Sequence, residues 1–193
     1  LRDDAVMNKE HLELCASTEW ADALSQWIVP WALDDVELGS DAVEFGPGPG
    51  LTTDILRTRT QHLTAVEVDE ALAAALADRF AEADDVTVIH ADGTASGLEG
   101  SRYTAVVCLT MLHHVPSTEL QDAIFAEARR LLTADGVFAG SDSRDSPDFR
   151  ALHAGDVCVP VDPATLAERL NAAGFTDVEV ETNEWAVRFR ARP

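Results

Sequence analysis

Apolar positions along this chain follow two different periods. Over residues 10–33, Trp20, Leu24, Trp27 and Ile28 recur at helical spacing. Ser17 or Thr18, followed by Glu19, is the expected N-cap of that region, and Pro30 is expected to end or kink it. Farther on, short apolar runs alternate with helical stretches. The runs predict strands at 42–45, 62–68, 86–90, 103–110 and 136–141. The stretches between and after them predict helices at 51–57, 70–81, 118–132 and 163–173. Ser117 is placed to cap the third of these. Asp162, Pro163 and Gly174 mark the start and stop of the last. The run 103–110 is almost wholly apolar, as a strand covered on both faces requires. Two β-rich runs, 175–181 and 185–190, are joined by a short polar link and read as a closing hairpin.

This order predicts an α/β fold. The expected sheet is Rossmann-like, seven-stranded and mainly parallel, with a C-terminal antiparallel hairpin and helices on both faces. The 193 residues suit a single domain over 1–193, with 41–193 as the α/β core and 1–34 as a helical lid or cap. Ligands of such sheets bind at the carboxyl ends of the strands. The residues just after each strand are therefore where chemistry is to be sought.

Composition narrows the partners. Hydrophobic residues make up 46% and charged residues 25%, an ordinary globular balance. No apolar run approaches the roughly 20 residues that span a bilayer. The opening Leu1-Arg2-Asp3-Asp4 lacks the basic-then-apolar pattern of a secretory signal, and Met7 lies close behind it. A cytoplasmic protein with no membrane partner is expected. Fourteen Lys plus Arg face 35 Asp plus Glu, for a formal net charge of −21, and Lys9 is the sole lysine. Such a surface repels phosphate backbones, so no nucleic-acid partner is expected. Cys15, Cys108 and Cys158 make no C-x-x-C pair, so neither a disulfide framework nor a metal site is indicated. Oligomeric state stays open, with a homodimer among the options.

The chemistry concentrates in Val43-Glu44-Phe45-Gly46-Pro47-Gly48-Pro49-Gly50, between the first strand and its helix. Glycines there allow positive φ and close approach of a ligand to the backbone. A dinucleotide loop would read G-x-G-x-x-G, but here Leu51 holds the third glycine's place. Pro47 and Pro49 carry no N–H for a phosphate. The charge of Glu44 would also oppose one. The loop suits a ligand with a cationic end and no phosphate. About 20 residues on, Glu67 stands where an acid takes ribose hydroxyls, while Asp69 is expected to start the next helix.

At this point the residues resemble the class I S-adenosylmethionine-dependent methyltransferases, in particular their small-molecule "type 11" branch. The resemblance runs from about residue 41 to 140. The loop is similar to that family's first motif, and Glu67 to its ribose-binding acid. His90-Ala91-Asp92-Gly93-Thr94 is similar to its next motif. The resemblance implies that the Asp92 side chain meets the adenine amino group and the Gly93 backbone the ring. It implies S-adenosyl-L-methionine as cofactor, S-adenosyl-L-homocysteine as product and a small-molecule substrate. The implied cofactor-binding set is Glu44, Gly46, Pro47, Gly48, Gly50, Glu67, Val68, Asp92, Gly93, Thr94 and Leu109. The stretch 131–137 resembles the family's L-x-P-G-G turn, with Ala134 and Asp135 in place of Pro and the first Gly. Leu112-His113-His114-Val115 resembles the L-H-H-V stretch of small-molecule members. The Asn/Asp-Pro-Pro-Tyr-like tetrapeptide of enzymes that methylate amino groups of nucleic acids is absent.

Transfer to a hydroxyl needs a base, and histidine suits that role near neutral pH. His113, His114 and His153 are the catalytic candidates. Neighbours in sequence, His113 and His114 are not expected to face the site together. His11, His62 and His90 read as structural. Within the lid, Trp20 and Trp27 either cover an apolar substrate or pack the helix on the core. Two rival readings are weighed: an NAD-dependent oxidoreductase on a related fold, disfavoured by the loop, and a non-catalytic cofactor-binding protein.

Overall fold

The structure is a computed structural model and describes residues 8–193. The opening tetrapeptide and Met7 lie outside the described residues. Seven strands form one sheet in the order β3-β2-β1-β4-β5-β7-β6. They are β1 (Asp41–Phe45), β2 (His62–Glu67), β3 (Val86–His90), β4 (Tyr103–Leu109), β5 (Leu132–Ser143), β6 (Asp177–Thr182) and β7 (Ala186–Arg192). The first five run parallel. β7 inserts antiparallel between β5 and β6, the expected closing hairpin. The order reverses at β1, where β2 and β3 lie to one side and β4 to the other. That is the switch point at which such sheets open a crevice.

The period-2 pattern of β1 decides what each face buries. Val43 and Phe45 point into a core with Val106, Cys108, Phe125 and Phe138. Helices α6 (Thr118–Leu131) and α8 (Pro163–Ala172) cover that side through Phe125, Leu131, Leu166 and Leu170. Ala42 points the other way, into a core with Leu24, Val29, Leu33, Leu56, Val107 and Ala139. On this side lie α4 (Leu51–Leu56) and the N-terminal helices α2 (Thr18–Ala23) and α3 (Val29–Ala32), with α1 (Lys9–Cys15) preceding them in the chain. Helix α5 (Glu70–Arg79) packs Leu76 against Ala65 and Val86, and α7 (Pro147–Leu152) follows β5.

The N-terminal region departs from one continuous helix. α1 stops before Ser17, whose hydroxyl then accepts from Trp20 N–H and starts α2. A π turn over Leu24–Ile28 follows, and the chain stays helical past Pro30 to Ala32. Pro30 lacks an N–H. The wider i→i−5 spacing, with Val29 N–H reaching Leu24 C=O, lets the helix absorb it. β5 also begins earlier than residue 136. It starts at Leu132, pairs there with Tyr103, and shifts register before Ala105 meets Val137. Ala134 and Asp135 therefore stand in a strand irregularity where a Pro-Gly turn was the comparison. α7 was not anticipated, although Ser146 caps it and Pro147 opens it.

Candidate functional site

A cavity of about 440 Å³ opens beside the switch point, within the range of small-molecule sites. Its floor is the loop after β1. Gly46 sits at φ +68°, and a Cβ there would come within 2.9 Å of the Met111 Cβ. Gly48 sits at φ +55° with open space where a side chain would go. Glycine serves both places, by conformation at each and by close approach at Gly46. Gly46, Pro47, Gly48 and Pro49 line the cavity, whereas Gly50 lies behind it as the N-cap of α4.

Glu44 does not reach the cavity, contrary to the expectation for it. It sits on the Ala42 side of β1, is 2% exposed, and accepts from the hydroxyls of Thr52 and Thr53. Alternation along the strand is the cause, because Phe45 takes the opposite face. Glu44 thus ties β1 to α4 beneath the loop. Burial pushes its carboxyl up to about 7, against the two hydroxyls, with Glu67 and Asp54 adding to the rise.

Glu67 closes β2 and lines the cavity. Gly48 N–H donates to its Oε2 at 2.9 Å and Asp69 N–H to its Oε1 at 2.9 Å. Each oxygen keeps a lone pair for a further donor. Burial raises its pKa, and the backbone amides oppose that rise. Asp69 caps α5, as expected. Asp92, Gly93 and Thr94 line the next wall after β3. Thr94 donates through N–H and hydroxyl to Asp92 Oδ1, both at 2.8 Å, so Oδ2 is free to face a ligand. Val68 and Leu109 add apolar walls. Thr110, just past β4, holds φ +53°, a left-handed conformation rare outside glycine, and it too lines the cavity.

The N-terminal helices contribute Cys15, Trp20 and Leu24 to the cavity. Trp27 does not join them and is 72% exposed. Burial, then Asp156, push the Cys15 thiol up to about 11, so it stays protonated.

The three candidate histidines meet in one cluster, and His11 joins them. His113 and His114 lie on a 3-10 turn after β4, His153 just after α7, and His11 on α1. Ring centroids are 4.1 Å apart for His113–His114, 4.4 Å for His11–His153 and 4.7 Å for His113–His153. Every Nδ1 faces an acceptor. His11 meets Asp156 at 2.9 Å, His113 meets Asp142 at 2.6 Å, His114 meets Val157 C=O at 3.3 Å and His153 meets Phe149 C=O at 2.7 Å. His153 Nε2 and His113 Nε2 approach to 3.0 Å. Of the four, His114 lines the cavity. Burial, then His113, His11 and His153, lower its pKa to about 3, so its ring is neutral. His113 and His114 divide between two places, His114 at the cavity and His113 buried beside it. The 3-10 turn keeps both in the cluster, with only His114 opening to the cavity. His11 was read as structural, and no local spacing could have revealed its place. His62 and His90 stay outside, His62 exposed beside Asp41 and His90 against Val68 C=O.

With this geometry in view, comparison with known proteins is decisive for the family. A methyltransferase-domain family model matches residues 43–140. The chain belongs to the class I S-adenosylmethionine-dependent methyltransferases. The match spans the glycine loop, Glu67, the Asp92 turn and β4, the stretch that supplies most of the cavity lining. A curated relative, ribosomal RNA small subunit methyltransferase A of Acidobacterium capsulatum, is 33% identical over 118 residues, 53% of this chain. This chain spans only 40% of that relative's length. Among solved structures, a DhpI–SAH complex superposes with a TM-score of 0.69 at 22% identity, covering 94% of this chain and 90% of that one. A SAM-dependent methyltransferase from Aquifex aeolicus superposes at 0.76 with 13% identity, covering 96% and 98%. Those two likenesses establish the shared fold of this methyltransferase. Among its described residues no helix is long and apolar enough to cross a membrane.

Proposed function

We propose that this chain transfers the methyl group of S-adenosylmethionine to a small-molecule acceptor held under the N-terminal helices. The observation that carries the reading is the join of two unlike halves in one cavity. One half offers free carboxylate lone pairs at Glu67 and Asp92. The other is apolar and roofed by Trp20 and Leu24.

The polar half fits this cofactor. Glu67 accepts the two ribose hydroxyls on the lone pairs that Gly48 and Asp69 leave over. Asp92 Oδ2 accepts from the adenine amino group while Thr94 holds Oδ1 in place. Pro47 and Pro49 withhold phosphate donors, which turns the loop away from dinucleotides. When bound, the cofactor supplies a sulfonium-activated methyl whose departure leaves a neutral thioether. This chain's residues orient the acceptor for an in-line approach, and such positioning is worth about 7–11 kcal/mol. Met111 and Leu109 pack beside the loop. Trp20 and Leu24 exclude water from the acceptor. His114 is the histidine placed to take part in acceptor binding or deprotonation, with His113 and His153 behind it.

A small acceptor is favoured over RNA by the net charge of −21 and by the absent Asn/Asp-Pro-Pro-Tyr-like tetrapeptide. RNA is the second reading, because the curated relative named above is a ribosomal RNA methyltransferase and matches 118 residues of this chain. A radiolabelled S-adenosylmethionine assay separates the two. Label entering a panel of small hydroxyl and amine compounds, and not ribosomal RNA, is the expected result. Label entering RNA alone would overturn the acceptor assignment.

A further inference from the structure

The histidine cluster contains more than methyl transfer to a positioned acceptor requires. One ring nitrogen from each of His11, His114 and His153 lies within 4.8 Å of the other two. His11 and His153 are buried and His114 is half-buried. Each Nδ1 faces an oxygen acceptor, which leaves Nε2 as the other nitrogen of each ring; that of His153 also stands 3.0 Å from His113 Nε2. A carboxylate or carbonyl behind each imidazole is the outer-shell arrangement that orients metal-ligating histidines. We propose that His11, His114 and His153 form a three-imidazole site for a first-row divalent metal of the zinc class.

The chemistry of the donors selects that class. Three neutral imidazoles suit zinc, copper, nickel or iron, whereas magnesium and calcium prefer oxygen. Zinc–nitrogen bonds of about 2.0–2.1 Å place the nitrogens of a tetrahedral shell roughly 3.3 Å apart, so nitrogens now within 4.8 Å of one another close by up to about 1.5 Å on binding. Asp156 behind His11 supplies negative charge without entering the triad. His113, its own Nδ1 held by Asp142, meets His153 at Nε2, 3.0 Å away, so that contact has to open for His153 to bind through Nε2. His114 borders the cavity, so a metal held by the three rings would have a fourth position within reach of that side. That leaves a place for water or for an acceptor oxygen, as in zinc sites with three protein ligands.

The placement also has a mechanical consequence. His11 comes from α1, His114 from the turn after β4 and His153 from the end of α7. A metal would pin the N-terminal cover to the sheet side of the cavity, joining His11 to His114 and His153, 103 and 142 positions farther along the chain. Asn8 reinforces the same joint, since its N–H donates to Asp156 Oδ1 and its side chain accepts from His11 N–H.

The test needs no methyl donor, so it stands or falls independently of the methyltransferase reading. Protein stripped with a chelator is titrated with Co²⁺ and then Zn²⁺, followed by ligand-field absorption and calorimetry. The expected result is one high-affinity equivalent per chain, with the intense visible bands of a low-coordinate nitrogen set, displaced by Zn²⁺. His11→Gln and His153→Gln should each weaken binding at least 100-fold. Asp156→Asn, which spares all three ligands, should weaken it about tenfold. Weak bands alone, typical of six-coordinate oxygen sites on an acidic surface, would overturn the proposal. So would affinity unchanged by Asp156→Asn in folded protein together with either histidine substitution. Should a histidine variant fail to fold, the wild-type cobalt spectrum decides by itself.

Discussion

At the scale of single residues, the two acids of the cavity differ from the buried acid beneath it. Glu67 and Asp92 line the cavity with lone pairs to spare, and each is proposed to meet the ligand directly. Replacing either by Ala should weaken S-adenosylhomocysteine binding by about 1–3 kcal/mol, read by calorimetry. Unchanged affinity in both variants would remove them from the cofactor site. Glu44 acts through stability instead. Its folded pKa of about 7 lies above the usual 4.5, so the protonated form is the one the fold favours. That contribution is fully present below about pH 4.5 and is lost as pH rises through 7. The linked change is about 3 kcal/mol. The difference in unfolding free energy between wild type and Glu44→Gln should therefore shift with pH across that window. A pH-independent difference would contradict the buried, raised carboxyl. Glu44 stood out beside the glycine loop and Glu67 at the end of the second strand. Which one enters the cavity depended on strand alternation relative to Phe45, and that requires the strand's register against the core.

At the scale of elements, the loop after β1 combines backbone strain with close packing. Gly46→Ala would put a Cβ 2.9 Å from Met111 Cβ at a left-handed φ. It should cost about 1–2 kcal/mol or more in chemical denaturation. A neutral effect would mean the loop has an alternative course. The strands and their order were legible because each apolar run ended in a turn residue or a cap. The long β5 was not, since Ala134, Asp135 and Gly136, all depleted in strands, separate Leu132 from the apolar run that follows. The N-terminal helices were legible as amphipathic pieces but not as a roof. Trp20 and Trp27 share one helical spacing, yet the π turn over Leu24–Ile28 separates their directions. Trp20 lines the cavity and Trp27 faces solvent. Trp20→Ala should accordingly speed S-adenosylhomocysteine release in stopped-flow measurements, and Trp27→Ala should not. Equal effects would argue against a roof built on Trp20.

At the scale of the whole molecule, the fold gathers residues that no local pattern connects. His11 and His153 lie 142 positions apart, yet their rings meet beside His113 and His114. His113, His114 and His153 could be singled out because they follow strands whose carboxyl ends face the crevice. His11 could not, because its place depends on how α1 crosses the molecule. The charge of −21 acts at this scale as well. It should leave the protein without measurable affinity for RNA at physiological salt, tested by fluorescence anisotropy with a ribosomal RNA fragment. Micromolar binding that weakens steeply with salt would reverse the acceptor reading. The central claim is that the crevice at the switch point holds the methyl donor and not a dinucleotide. The most direct measurement is parallel calorimetric titration of the wild-type protein with S-adenosylhomocysteine and with NADH. One saturable site for S-adenosylhomocysteine and no heat from NADH is the predicted result. Binding of NADH, with no binding of S-adenosylhomocysteine up to millimolar concentration, would contradict it.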